Sequence, residues 1–188
     1  MEHYNLSVDI DWIISADQHS VLIDYVSKKF IKCEKIIFID CHHNILDFLI
    51  EEDVSLVNID YHCDLINLPN FPMKHLINEG NWVNYLYLKN NLKDYIWINN
   101  VNSFISDSLI HDSQLRNLRT FKIEHDLNYI KNFEYKKIII CKSKDYHWEN
   151  GYKEGVIAFD ILKSIANNFF PQKVIIDNNL NPYKYLNK

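Results

Sequence analysis

The chain has 188 residues, of which 47% are hydrophobic, so its length suits one sizeable core and we expect a single domain over residues 1–188. Its formal net charge of -5 argues against nucleic-acid binding through a basic surface and fits a cationic partner better. The sequence has no long apolar run, no signal-like N-terminus and no C-x-x-C pair, which argues against a membrane protein and predicts reduced thiols in the cytoplasm.

Strand-like and helix-like segments alternate along the chain. Runs rich in Ile, Val and aromatic residues predict strands at 4–10, 35–40, 54–60, 94–99, 136–141 and 173–177. Helical spacing of apolar residues predicts helices at 17–30, 44–52, 82–90 and 158–169. This alternation predicts a three-layer αβα fold with a mainly parallel sheet. Residues 100–135 show no clean period and are interpreted as a lid or a helical insertion.

Three of the predicted strands end on metal-ligand residue types. The first runs into Asp9 and Asp11, the second is followed by His42 and His43, and the third by an Asp-x-His-x-Asp triplet at residues 60–64. Since ligands bind beyond the carboxyl ends of strands in open α/β sheets, these segments predict one shared site. In an extended segment the triplet's three side chains would point the same way. A polar strand end that caps the next helix is the alternative interpretation of the triplet.

The donor set favours a pair of divalent ions. Its four carboxylates carry a charge that two such ions would offset, and the excess of oxygen over nitrogen ligands favours Mn²⁺ or a similar ion over structural zinc. Adjacent histidines face opposite ways in an extended segment, so one of the two is expected to bind metal. We assign His43 as the ligand and His42 as a catalytic-site residue that supports a ligand or contacts the substrate; the reverse assignment stays open.

Two other segments carry polar side chains of interest. Residues 78–82 read Asn-Glu-Gly-Asn-Trp, which predicts a turn and a helix start, or else a substrate contact through Glu79 and Asn81. The Glu124-His125-Asp126 run is a rival carboxylate pair, but it follows only a short apolar run. Aromatic residues between 82 and 97 are interpreted mostly as core, with a cleft lining as the alternative.

At these residues the chain resembles the UPF0489 family, which includes the peptide arginases, distant relatives of the arginase and agmatinase ureohydrolases. The matching segments are 8–12, 42–48, 58–65 and 78–82, with a weaker match at 138–146. The resemblance implies an arginase-like fold in which the Asp-x-Asp element precedes the histidine triplet, a permuted order relative to ordinary arginases.

The resemblance also implies an activity. Such enzymes hydrolyse the guanidinium of arginines in a ribosomally made precursor peptide, giving ornithine and urea, with two Mn²⁺ ions. Asp64 would also relay a proton, Glu79 would pair with the guanidinium, and Asn81 would help to place it. The implied metal ligands are Asp9, Asp11, His43, Asp60, His62 and Asp64.

Two rival functions share this site. One is hydrolysis of a small guanidino compound or an amide by the same kind of binuclear centre. The other is a non-catalytic relative that keeps metal as a structural element, for which Asn44, where the family usually has an aspartate, is the hint. The sequence identifies neither the peptide nor the oligomeric state.

Overall fold

The structure is a computed structural model that describes residues 4–49, 53–65, 77, 80–100, 115, 117–142 and 152–177. Its centre is a seven-stranded sheet in which every strand pair is parallel. The strand order is β5-β4-β3-β1-β6-β2-β7. The strands are β1 (Tyr4–Asp9), β2 (Lys35–Ile39), β3 (Val54–Ile59), β4 (Leu92–Ile98), β5 (Thr120–Glu124), β6 (Tyr135–Cys141) and β7 (Val174–Asp177).

Helices cover both faces of the sheet, as a three-layer α/β fold requires. They are α1 (Ala16–Lys29), α2 (Leu46–Leu49), α3 (Trp82–Leu88) and α4 (Tyr152–Phe169). Helices α1 and α4 pack together and share one core cluster with alternate residues of the strands. The other strand residues pack with α2 and α3 in a second cluster. Successive side chains of a buried strand point to opposite faces of the sheet, so the strands contribute to two separate core clusters.

Local sequence explains the boundaries of α1. Its buried residues Leu22 and Val26 stand four apart and continue to the buried Phe30 just after the helix, which is the spacing of one helical face. Asp17 lies in the first turn and Lys28 and Lys29 in the last, so the charges suit the helix dipole at both ends.

The predicted three-layer architecture is confirmed, and six predicted strands agree with observed ones to within about two residues. The prediction for 100–135 is wrong where the structure describes it. Residues 120–124 form β5, the edge strand, and Leu127–Ile130 form a 3-10 turn. Within the part of the chain that the structure describes, the Thr-Phe-Lys-Ile run is paired by β4 on one side, and it is too short to show a period of its own. Among the described residues, no helix is long and apolar enough to cross a membrane.

Candidate metal centre

The register of the sheet brings the three ligand-bearing strands level at their carboxyl ends. Val8 of β1 pairs with Ile59 of β3, so Asp9 and Asp60 follow side by side. Asp9 and Ile39 both pair with Cys141, the last residue of β6. Since β6 lies between β1 and β2, the residues after β2 must reach across the end of β6 to meet Asp9.

The local backbone differs from the extended geometry that the sequence suggests. Asp9 ends β1, but Asp11 lies in a 3-10 turn formed by Ile10–Trp12. β3 ends at Ile59, so the triplet that begins with Asp60 is a loop, and Asp64 adopts a left-handed conformation with φ of 54°. The ligand residues converge through these turns and not through strand alternation.

Three of the aspartates are held in the same way by the backbone. Asp9 Oδ1 accepts from the Asp11 amide at 3.2 Å, and Asp11 Oδ1 accepts from the Tyr61 amide at 3.3 Å. Asp60 Oδ1 accepts from the His62 amide at 2.8 Å. In each case the other oxygen, Oδ2, lies close to a histidine nitrogen. The backbone therefore fixes one carboxylate oxygen and directs the second into the site.

His42 lies at the centre of what we call the inner position, formed by Asp9, His42, Asp60 and Asp64. Its Nδ1 is 3.1 Å from Asp9 Oδ2 and 3.2 Å from the Oδ2 atoms of both Asp60 and Asp64. All four side chains are buried. One imidazole nitrogen therefore lies in direct contact with three carboxylate oxygens.

A second position, the outer position, adjoins the first and consists of Asp11, Asp60 and His62. Their donor atoms lie within 4.8 Å of one another, as do those of Asp9, His42 and Asp60. His62 Nδ1 is 3.1 Å from Asp11 Oδ2 and its side chain is 25% exposed. Asp60 belongs to both groups, so these buried Asp and His side chains could hold metal ions at two adjacent positions.

The assignment of His43 as the metal ligand is not supported, because the structure places His42 at the carboxylates instead. Among the described residues, His43 belongs to neither group of potential ligands, although it too is buried. The reason is the backbone: residues His42–Ile45 form a 3-10 helix, in which adjacent side chains do not point to opposite sides of a strand. The open alternative, with His42 as the ligand, therefore agrees with the geometry.

Crowding of buried charges shifts the titration of the site. Burial, followed by the charges of Asp9 and Asp60, raises the pKa of Asp11 well above its usual range. Burial and the charge of Asp60 do the same to the pKa of Asp64. Burial alone would raise the pKa of Asp60, but contact with His42 lowers it. Burial disfavours the charged ring of His42, yet the charge of Asp9 and the contact with Asp60 raise its pKa to about 10. A bound cation would offset the repulsion among these buried carboxylates and stabilise their ionised forms.

Sequence reasoning missed the residues that support the ligands. Ser7 is fully buried in β1, and its hydroxyl oxygen lies 2.7 Å from His42 Nε2. This hydrogen bond fixes the orientation of the His42 ring. Tyr95 donates to the carbonyl of Cys63 at 2.7 Å, and Trp97 Nε1 donates to the carbonyl of Asp60 at 2.9 Å. The sequence feature that could have pointed to Ser7 is its position two residues before Asp9, which places both side chains on the same side of β1.

The residues predicted to contact substrate have different outcomes. Glu79 lies outside the described residues. Asn81 is the buried residue that precedes α3, and its carbonyl accepts from the Tyr85 amide, as a helix start requires. The aromatic residues Trp82, Tyr95 and Trp97 are buried in the core, which confirms the core interpretation for these three.

The rival carboxylate pair does not join the site. Glu124 ends the edge strand β5, which β4 and β3 separate from β1. Asp126 accepts from the amide of Asn128 at 2.8 Å and so caps the 3-10 turn that follows. Its interpretation as a second acidic ligand pair is therefore not supported.

A scan against protein-family models found no match, and searches of the curated proteins and of the solved structures found no significant match either. The site must therefore be interpreted from its own geometry and chemistry.

Proposed function

We propose that the protein is a binuclear manganese-dependent hydrolase that converts arginine residues of a ribosomally made peptide to ornithine, releasing urea. The observation that carries this proposal is the pair of adjacent ligand groups that share Asp60. Metal pairs that act on a single bound water in hydrolases lie about 3.5–4 Å apart, and a shared carboxylate is the feature that holds two ions this close.

The donor chemistry fits hard divalent ions. The two positions contain four aspartates and two histidines, and the oxygen-rich set favours Mn²⁺ or a similar ion over the sulfur-rich sets typical of structural zinc. Asp9, His42, Asp60 and Asp64 would hold the inner ion, and Asp11, Asp60 and His62 the outer one. When bound, the ions would lower the pKa of a water so that it attacks near neutral pH.

The substrate class follows from charge and from the motif resemblance. A guanidinium keeps its proton in proteins, so an acidic site attracts it, and its delocalised charge makes the carbon a poor electrophile that needs strong water activation. The segments at 8–12, 42–48 and 58–65, which resemble peptide arginases, contain every proposed metal ligand. This supports a guanidinium substrate over a neutral amide.

The residues of the chain have distinct tasks in the proposed reaction. Water adds to the guanidinium carbon, and the bond from that carbon to the side-chain nitrogen of the substrate breaks. The electron pair leaves with this nitrogen, which must gain a proton. Asp64, which lies beside His42 in the inner position, would take the proton from the water and deliver it to the nitrogen. The products are urea and the ornithine amine.

The test combines mass spectrometry with metal analysis. Protein purified with Mn²⁺ is incubated separately with an arginine-containing peptide, free arginine and agmatine. We expect the peptide to lose the mass of CN₂H₂ at modified arginines, urea to appear, and a chelator to abolish both. Asp60→Asn should lose metal and activity because it removes the shared ligand. Asp126→Asn, a change at an exposed turn cap, is the matched control and should retain both.

Other results would overturn the proposal in different ways. Turnover of free arginine or agmatine alone would indicate a small-molecule ureohydrolase. Two bound ions without turnover of any of the three substrates would indicate a non-catalytic metal-binding protein. Full activity in Asp60→Asn would exclude the binuclear centre.

A further inference from the structure

One aspartate of the site is held differently from the others. Amides of the main chain donate to Asp9, Asp11 and Asp60, whereas within the described part of the chain no main-chain amide donates to the Asp64 carboxylate. Its donor is a side chain: Trp82 Nε1 donates to Asp64 Oδ2 at 2.5 Å. The same oxygen lies 3.2 Å from His42 Nδ1.

The backbone of Asp64 makes this side-chain donor significant. Its φ of 54° lies in the left-handed region, which aspartate adopts more readily than most residues but which is still uncommon for any residue with a Cβ atom, so surrounding contacts help to hold it. The Asn84 amide in the first turn of α3 donates to the Asp64 carbonyl at 3.3 Å. The start of α3 thus contacts Asp64 twice, at the carbonyl through Asn84 and at the carboxylate through Trp82.

Trp82 also contacts the other side of the inner position. Its ring lies 4.8 Å, centroid to centroid, from the ring of His42. The indole is fully buried, and it packs in the core cluster beside α2 and β4. A rigid, buried ring that touches both a carboxylate ligand and an imidazole ligand fixes their separation.

We infer that Trp82 is a positioning residue for the inner metal position, which acts by holding the carboxylate of Asp64 against His42. This inference rests on the proposed metal site but not on its substrate or its turnover. Partners that orient a metal ligand typically contribute about 10–100-fold to metal affinity. Loss of the indole donor should therefore weaken the inner ion without disturbing the outer one.

The experiment measures affinity for Mn²⁺ alone, by calorimetric titration without substrate. In a His62→Ala background the outer position loses its nitrogen ligand, so the titration reports the inner ion. There, Trp82→Phe should weaken binding by about 10–100-fold. In the Asp64→Asn background the same change should add less than about threefold, because the group it positions is no longer a carboxylate.

Phe30→Leu is the control. Phe30 is as fully buried as Trp82, but it lies in the core cluster of α1 and α4, where its ring packs against the ring of Phe170. We expect Phe30→Leu to lower the melting temperature about as much as Trp82→Phe while changing inner-ion affinity by less than about threefold. Equal loss of affinity in both variants would show a general packing effect and overturn the inference.

A measurement on the unmodified protein covers the case in which Trp82→Phe does not fold. The indole N–H resonance of Trp82 should shift when diamagnetic Zn²⁺ occupies the inner position, since its acceptor then binds the ion. An unshifted indole resonance with the ion bound, or no metal binding at all, would overturn the inference. Metal binding with the expected affinity loss but no urea release would contradict the proposed function alone.

Discussion

At the scale of single residues, the site depends on how each carboxylate divides its two oxygens. Asp9, Asp11 and Asp60 each give one oxygen to a nearby main-chain amide and keep the other close to a histidine. For Asp9 and Asp60 the donating amide is two residues further along the chain, and for Asp11 it belongs to Tyr61 in the loop after β3. Short turns after β1 and β3 therefore provide the orientation. Main-chain amides therefore preorganise these three carboxylates, and no additional side chain is needed to orient them.

A different aspartate, Asp94, shows how a buried carboxylate is satisfied without metal. It lies near the start of β4, is fully buried, and accepts from Arg119 Nε at 3.0 Å and from Ser55 at 2.6 Å. Burial alone would raise the pKa of Asp94, but the hydrogen bonds from Arg119, Ser55 and Thr120 lower it below the usual value. These bonds join β3, β4 and the start of β5.

We predict that Arg119→Ala lowers the free energy of unfolding near neutral pH by about 1–3 kcal/mol, because a buried carboxylate loses its charged donor. The pKa of Asp94 is lower in the folded state than in the unfolded one, where it is about 3.9. Its stabilising contribution is therefore present above pH 4 or so and lost as the pH falls through the folded value. The gap between wild type and variant should narrow in acid.

Urea titrations at several pH values measure this gap. Lys28→Ala is the control, because it breaks an exposed ion pair with Asp24 that should contribute less than about 1 kcal/mol. A gap for Arg119→Ala that stays constant from neutral pH to below pH 4 or so would contradict the assignment to Asp94 ionisation.

The residue types of the site could be predicted from the sequence, but the choice between His42 and His43 could not. The pattern of acids and histidines after buried runs identified the ligand-bearing segments, because parallel strands bring their ends together. The histidine choice depends on whether the chain stays extended after β2, and nothing in Cys-His-His-Asn fixes that. The supporting donors Tyr95 and Trp97 come from β4, and their contacts with residues 60–64 arise only in the folded sheet.

At the scale of elements, α4 packs against the turn that carries the site. Gly155 lies in α4 where a Cβ atom would come within 2.8 Å of the carbonyl oxygen of Ile10. Ile10 is buried between Asp9 and Asp11, so the position of α4 is linked directly to two ligand residues. A glycine in a helix usually weakens it, and this close approach gives a physical reason for its presence.

We predict that Gly155→Ala destabilises the protein by about 1–3 kcal/mol, although the same change in an open helix usually adds about 1 kcal/mol. The backbone oxygen of Ile10 has no room to move without shifting the turn between Asp9 and Asp11. Metal affinity should therefore fall together with stability. Thermal melting and Mn²⁺ titration measure the two effects.

Asn167→Ala provides the comparison, because Asn167 is exposed on the same helix and alanine there should be neutral or slightly stabilising. Increased stability in Gly155→Ala would show that α4 tolerates a shift away from Ile10 without cost.

Elements were predictable where burial is strong. β1, β2 and β3 are buried along most of their length, and each is rich in Val, Leu or Ile. The apolar run is nearly continuous in β2, as expected for a parallel sheet covered on both faces, whereas β1 alternates apolar residues with Asn5 and Ser7. Among the described strands β5 pairs with β4 alone, and it is half-buried, so its sequence, Thr-Phe-Lys-Ile-Glu, lacks the strong apolar pattern of the central strands. Helix α4 begins at Tyr152, earlier than predicted. The predicted start was too late because the first turn contains Gly155, a residue type that lowers the expectation of a helix.

At the scale of the whole molecule, the site lies at the carboxyl ends of the central strands of the sheet. The ligands follow β3, β1 and β2, and only β6 lies between the last two. Along the chain these ligands are spread from Asp9 to Asp64, with α1 and α2 in between. Bound ions would therefore join segments that are distant in sequence and fix the central strands relative to each other.

We predict that Mn²⁺ stabilises the whole fold and not only the loop at residues 60–64. An ion that binds only the folded state at about 100 times its dissociation constant adds about 2.7 kcal/mol, or roughly 5–10 °C in melting temperature for a chain of this size. The gain should disappear with a chelator and in Asp60→Asn, which removes the ligand common to both positions, but persist in Asp126→Asn.

The unfolding transitions measured by far-ultraviolet circular dichroism and by tryptophan fluorescence should shift together, since α1 and α4 pack on the same strands that carry the ligands. A shift in fluorescence alone, or an equal gain in Asp60→Asn, would show that the ions act elsewhere or only locally.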